Sequence, residues 1–215
     1  MNHRVRPVRR LLAAVTAMAL GGTLLIAPTS AAAAFAPSAA AKTFRGVGDD
    51  LIRIRATKSR GIATVTHDGE SNFALWTLKP NGKQDDLLVN TIGSYSGTTV
   101  FNLYPWHQTG AFEIAADGAW TLKIQPISAA PLWKTATVRN RGDKVLKLKT
   151  PTRGLRTMRY RHSGDRNFVV YAIPTSGSPD LLVNKIGAVK GKVRIPAGTK
   201  YVSVQADGPW YLVRS

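Results

Sequence analysis

The chain has 215 residues, 44% of them hydrophobic and 20% charged, which is the composition of a globular protein large enough for two small domains. Cysteine is absent, so disulfides, thiolate metal sites, a cysteine nucleophile and a lipidated cysteine anchor are all excluded. Thirty Lys/Arg against twelve Asp/Glu give a net charge of +18, which directs attention to anionic partners.

The N-terminal segment reads as a signal peptide. Arg4, Arg6, Arg9 and Arg10 form a positive region without acids, and Leu11 to Ile26 is apolar. Ser30 to Ala34 supplies small-residue cleavage sites, of which the bond after Ala34 fits best. The apolar run is short for a membrane span and ends in a cleavable patch. Arg9-Arg10 is only a weak match to a twin-arginine signal. The expectation is a secreted, extracellular protein without a transmembrane segment, with residues 1–34 removed. Residues 35–43, rich in Ala, Pro and Ser, read as a disordered leader.

An internal repeat organises the rest. His67-Asp68-Gly69-Glu70-Ser71-Asn72-Phe73 returns as His162-Ser163-Gly164-Asp165-Arg166-Asn167-Phe168. Leu87 to Gly93 returns as Leu181 to Gly187, and Ala116-Asp117-Gly118-Ala119-Trp120 as Ala206-Asp207-Gly208-Pro209-Trp210. Three matched blocks in one order define copy one (44–124), a linker (125–138) and copy two (139–215). Copy one is longer by four residues around Leu103 to Gln108.

Within each copy the apolar period is two. Leu51–Arg55, Ile62–Thr66, Asn72–Leu78, Thr98–Leu103, Phe112–Ala115, Trp120–Ile124 and Val145–Lys149 alternate, and Gly, Pro, Asn and Asp punctuate them. Six to eight short strands per copy predict an all-β fold of two tandem small β-sandwiches, with a closed barrel as the competing architecture. Asp117-Gly118 between two alternating runs reads as a hairpin turn, and Trp120 and Trp210 as core tryptophans.

The layout from Asn72 to Ile124 is a polar strand start, Leu-Leu-Val-Asn, Ile-Gly, a Gly turn and a closing Ala-Asp-Gly-x-Trp. It resembles the small secreted β-sandwich modules found in tandem on bacterial exoproteins, including the pre-peptidase C-terminal kind. The Ala- and Arg-rich signal resembles those of actinobacteria. The resemblance implies a non-catalytic module that assists attachment, export or substrate contact.

No Gly-x-Ser-x-Gly elbow, His-Glu-x-x-His or phosphate-binding glycine loop is present, so no enzyme is predicted. His67 and His162, each before a turn, read as surface or strand-end residues. Every acid of copy two (Asp143, Asp165, Asp180, Asp207) matches one of copy one (Asp49, Glu70, Asp86, Asp117). Turn capping is the favoured reading of these eight; calcium coordination is the alternative, and no other cofactor is expected.

Charge separates the copies. Residues 44–124 carry eight Lys/Arg and eight Asp/Glu, whereas 139–215 carry sixteen Lys/Arg and four Asp. Lys147 and Lys149, and Arg159 and Arg161, each fall on one face of a predicted strand, with Arg156 and Arg166 nearby, and Lys190, Lys192 and Arg194 form a second cluster. These nine are the candidate polyanion-binding residues; an anionic cell-wall polymer or acidic polysaccharide is the expected partner, with no specific nucleic-acid recognition. Tyr104, Trp106, His107 and Gln108, in the expansion of copy one, form a candidate ligand loop for a sugar ring or a protein partner. A monomer is expected.

Overall fold

The computed structural model describes residues 41–154 and 156–215; the expected signal peptide and most of the leader lie outside them. Copy one has eight strands: β1 (Lys42–Val47), β2 (Asp50–Thr57), β3 (Gly61–His67), β4 (Asn72–Leu78), β5 (Gln84–Ile92), β6 (Tyr95–Phe101), β7 (Thr109–Ala115) and β8 (Ala119–Pro126). Copy two repeats them as β9 (Thr137–Arg141), β10 (Lys144–Lys147), β11 (Arg156–His162), β12 (Asn167–Pro174), β13 (Asp180–Ile186), β14 (Val189–Ile195), β15 (Thr199–Ala206) and β16 (Pro209–Arg214).

Each copy is a sandwich of two open, antiparallel four-stranded sheets, not a closed barrel. Copy one has a first sheet ordered β1-β8-β3-β6 and a second ordered β2-β7-β4-β5. Copy two has β9-β16-β11-β14 and β10-β15-β12-β13, the same orders strand for strand. First pairs with eighth, second with seventh, third with sixth and fourth with fifth. This is one long double ribbon rolled up, the winding of a jelly roll. Only β4 and β5, and β12 and β13, join consecutive strands within one sheet; β7 and β8 lie in different sheets. The Asp117-Gly118 turn is therefore a crossing between sheets and not the hairpin its spacing suggests.

The alternating residues fill two cores. Phe73, Leu75, Phe112, Trp120 and Leu122 centre the first; Met158, Phe168, Val170, Val202, Trp210 and Leu212 centre the second. Burying each such side chain is worth about 1.5–3 kcal/mol. The connecting segment is packed rather than loose. Ile127–Ala129 form a 3-10 turn, Ala130 is buried, and Trp133 lies fully inside the second core.

A third apolar cluster joins the copies. Ile62, Val100 and Leu103 from the outer face of copy one meet Ala130, Val145, Ile173 and Tyr201. The outer face of the first sheet of copy one thus covers the outer face of the second sheet of copy two. Around this seam Tyr95 Oη donates to Asp143 Oδ2 (2.7 Å) and Thr98 N to the Asp143 carbonyl (3.0 Å). Arg60 donates Nε to the Leu103 carbonyl (3.0 Å), Nη1 to that of Pro174 (3.0 Å) and Nη2 to that of Gly177, so its charge is satisfied across the seam without an acid. Burial pushes the Asp143 carboxyl above the ordinary carboxylate range and the Tyr95 phenol above its own.

The matched blocks of the repeat meet at one end of each sandwich. His67, buried and stacked on Phe73 (4.4 Å), contacts the Gly93 carbonyl through Nδ1 (3.1 Å) and Asp117 Oδ1 through Nε2 (3.2 Å). Asp117 Oδ2 accepts the Glu70 and Ser71 N–H groups (3.0 and 2.8 Å), and Trp120 Nε1 donates to the Gly48 carbonyl (2.8 Å). Copy two reproduces every bond through His162, Phe168, Gly187, Asp207, Asp165, Arg166, Trp210 and Gly142. A Cβ on Gly69 or Gly164 would collide with the His–Asp pair beneath it, which is why those turns need glycine. The histidines do end their strands, β3 and β11, but they are interior rather than at the surface, where stacking on a phenylalanine, the Nδ1 contact with a carbonyl and the nearby carboxylate offset their desolvation.

Hydrogen bonds from Ser71 and then Glu70 hold the Asp117 carboxyl below the ordinary range; burial pushes Asp207 up but is outweighed by the Asp165 and Arg166 N–H groups. A carboxyl whose folded pKa is depressed stabilises the fold above its unfolded value and ceases to do so as pH falls through the folded one. Asp117→Asn and Asp207→Asn should therefore unfold at lower urea than the parent at pH 7. That difference should shrink as the pH drops below the ordinary carboxylate value of about 4; an equal gap at both pH values would contradict the assignment.

Candidate cationic face

The outer face of the first sheet of copy two is open, and its register fixes which side chains share it. Arg161 pairs with Lys190 on one side and Tyr211 on the other, and Tyr211 with Arg139. One outward row therefore reads Lys190, Arg161, Tyr211, Arg139. The next reads Lys192, Arg159, Val213, Thr137, and beyond it Arg194 pairs with Thr157. Arg141, exposed at the end of β9, completes seven cations on one face. No Asp or Glu occurs in any of the four strands, and none of the seven lies within ion-pair distance of an acid among the described residues. Neighbouring strands stand about 4.8 Å apart and same-face residues about 6.6 Å apart along a strand, so the charges form a dense grid.

The clusters read separately from sequence, Arg159/Arg161 and Lys190/Lys192/Arg194, are neighbours here. Lys147 and Lys149 are not with them. Lys147 ends β10 in the opposite sheet, where its Nζ donates to the Ser128 carbonyl (2.6 Å), and exposed Lys149 follows it. Consecutive strands alternate between sheets, which separates them. Arg156 has the inward parity of Met158 but sits at the sheet's end, lining a depression of about 440 Å³ with Arg153 and Arg214. Arg166 is exposed in the turn after β11. Arg139 and Arg141 were not singled out from sequence, because β9 borders the linker. Carrying the repeat back to Arg45 and Val47 would have placed them.

The equivalent face of copy one carries two cations, Arg45 and Lys123, in place of seven, and is partly covered. Thr64, Thr66, Ser96 and Thr98 stand where copy two has Arg159, Arg161, Lys190 and Lys192, and Ile62 and Val100, both buried at the seam, where it has Thr157 and Arg194.

The ligand-loop residues divide. Tyr104 packs at the seam and stacks on Trp106 (4.7 Å between rings), while Trp106 stays 67% exposed. His107 Nδ1 is 3.7 Å from Asp86 Oδ2, and Gln108 N donates to Asp85 (3.4 Å), so this end of the loop is tied to β5. Burial raises the Asp86 carboxyl, with His107 acting against it.

Of the eight shared acids, Asp49 and Asp143 accept the Ala116 and Ala206 N–H groups (2.9 and 2.8 Å), and Asp117 and Asp207 bind the turns already described. Glu70 and Asp165 lie in those turns, exposed, and Asp180 begins β13, also exposed. Among the described residues no three His, Asp or Glu side chains gather at metal-binding distance, and no helix is long and apolar enough to cross a membrane.

No protein-family model and no curated protein matches the chain. Solved structures with some likeness include the regulatory subunit of a cAMP-independent protein kinase A from Trypanosoma cruzi bound to guanosine (9% identity, TM-score 0.24, covering 81% of this chain and 72% of that one). Another is the stem and receptor-binding domain of the spike protein P1 of bacteriophage PM2 (9% identity, TM-score 0.21, 83% and 79%). Likenesses this distant carry no inference about function.

Seven unpaired like charges on one face repel, and the repulsion is screened by salt. Arg159→Thr/Arg161→Thr/Lys190→Ser/Lys192→Thr, the residues of copy one, should raise Tm at low ionic strength. The gain should vanish near 1 M salt, where the Debye length is about 3 Å; a loss of stability would show that these side chains have packing roles.

Proposed function

We propose that the protein is an exported, non-catalytic attachment module whose second copy holds it on an anionic polymer of the cell envelope or extracellular matrix. The observation that carries this reading is the acid-free grid of seven cations on a single open sheet. Copy one, from the same sequence background, is neutral overall. Single surface ion pairs are worth little, about 0–1 kcal/mol, but a repeating polyanion engages many sites at once and releases its counterions. Binding of this kind is fast, tolerant of polymer sequence and steeply salt-dependent. Wall teichoic-type polymers, acidic polysaccharides and extracellular DNA share the required chemistry. Trp106 then offers a second contact on copy one.

A second reading has its own observation. In copy one part of the equivalent face, around Ile62, Thr98 and Val100, is buried against the next sandwich; cations in its place on copy two would stop a third module, or a second chain, from stacking there. The two readings separate cleanly.

The mature chain should bind purified cell walls in low salt. Stripping the anionic polymers, raising the salt several-fold from about 0.1 M, or introducing Arg159→Ala/Arg161→Ala/Lys190→Ala/Lys192→Ala should each abolish binding. Salt-insensitive binding, or none, sinks the attachment reading. Installing the copy-one residues of the third and sixth strands, with Thr157→Ile and Arg194→Val added to the four threonine and serine exchanges, should produce concentration-dependent oligomers by light scattering if the cations act as a stop. A persistent monomer overturns that reading.

A further inference from the structure

One corner of the cationic face is built differently from the rest. Arg139, Arg161, Ser163, Pro209 and Tyr211, with Asn140, line a depression of about 300 Å³. Comparison with copy one shows how it differs. There Asp68 Oδ1 accepts the Ala119 N–H (2.7 Å), closing the turn on itself, and Thr66 and Thr121 bond to each other through their hydroxyls. In copy two Ala119 is replaced by Pro209, which has no N–H to cap, and Asp68 by Ser163. The backbone bond beside them is kept: Asp68 N donates to the Ala119 carbonyl (3.1 Å), and Ser163 N to that of Pro209 (2.9 Å). Thr66 and Thr121 become Arg161 and Tyr211. Four coordinated changes thus remove the one carboxylate that would occupy this corner and line it with a guanidinium, a hydroxyl and an aromatic ring.

Arg139, retained from Arg45, supplies the second guanidinium, lying over the Tyr211 ring (5.4 Å). Arg139 and Arg161 flank Tyr211 in the same row, two strand spacings or roughly 9–10 Å apart at the backbone. Two long side chains at that separation can converge on a group held between their guanidinium groups at the edge of the ring, the ring face itself being taken by Arg139. A planar carboxylate offers its lone pairs in one plane and suits one fork; a tetrahedral oxyanion offers acceptors in several directions, enough for both guanidinium groups and the Ser163 hydroxyl.

We propose that this corner is a phosphate subsite, taking the phosphoryl group of a phosphate-bearing polymer between Arg139 and Arg161, with Ser163 Oγ as a third donor and the Tyr211 and Pro209 rings against the attached sugar or polyol. The inference rests on the attachment reading and narrows it: the grid supplies field, and this corner supplies recognition. The polymer's phosphate and free inorganic phosphate share the chemistry, so both are needed as probes.

The test uses the mature chain, titrating inorganic phosphate while following the backbone amides of residues 139, 161, 163 and 211 by NMR, and measuring wall binding in parallel. Phosphate should shift those resonances together and saturate. Ser163→Asp/Pro209→Ala, which restores the turn of copy one, should weaken phosphate binding at least tenfold. Arg139→Lys/Arg161→Lys, which keeps the net charge but loses both forks, should weaken it several-fold while wall binding in low salt changes little. Phosphate shifts absent, spread evenly over the cationic face, or unchanged in both variants would overturn the subsite, even with wall binding intact. Loss of wall binding in the parent with the phosphate titration intact would instead overturn the attachment reading and leave a free-phosphate site.

Discussion

The fold of each copy depends on one buried junction: a histidine held beneath a carboxylate that is itself bonded to backbone N–H groups of another turn. A jelly roll crosses between its two sheets at almost every connection, so its turns at one end must be tied across the sandwich rather than along a ribbon. Asp117 and Asp207 do this by reaching from the turn before the last strand to the turn after the third. The histidine braces the carboxylate from inside, and the tryptophan anchors the first turn through its indole N–H. A bonded carboxylate and an aromatic donor at a sheet crossing hold two layers in register where no ladder hydrogen bond can. The three sequence blocks that define the repeat are the parts of this junction, so their recurrence has a structural cause.

The all-β class, the two copies, the core tryptophans and the turn-capping role of Asp49, Asp117, Asp143 and Asp207 were legible because each leaves a local mark: period two, punctuation by glycine, or an acid beside a turn. What was not legible is which sheet a strand joins. Alternation says that Arg159 and Arg161 share a face; it is silent on whether the neighbour is the strand of Lys147 or the strand of Lys190. Nor does the pattern Ala-Ala-Asp-Gly-x-Trp distinguish a hairpin from a crossing, since both need a tight polar turn between apolar runs; the Asp side-chain bonds to Glu70 and Ser71, more than forty residues away, decide it. β1 and β9 escaped notice because edge strands with charged or glycine positions lack clean alternation.

The chemical contrast between the copies follows from their stacking. Equivalent faces are under different constraints once one is buried at the seam and the other is not. Copy one keeps Ile62, Val100 and Thr98 where contact with the next sandwich demands compact side chains, and Tyr95 and Arg60 satisfy their polar groups across that contact. Copy two is free of that demand on the same sheet, and there the cations accumulate without disturbing either core.

The seam also gives the molecule a direction. Copy one sits on the second sheet of copy two, whereas the seven cations face outward from the first, on the other side of the same sandwich. Any extended anion lying along the cationic grid approaches from the side away from copy one. Trp106 and the half-exposed Leu51 and Trp76 would then project from the polymer like the handle of a stamp. Gripping and display would be separate operations, and occupancy of one surface would leave the other unobstructed.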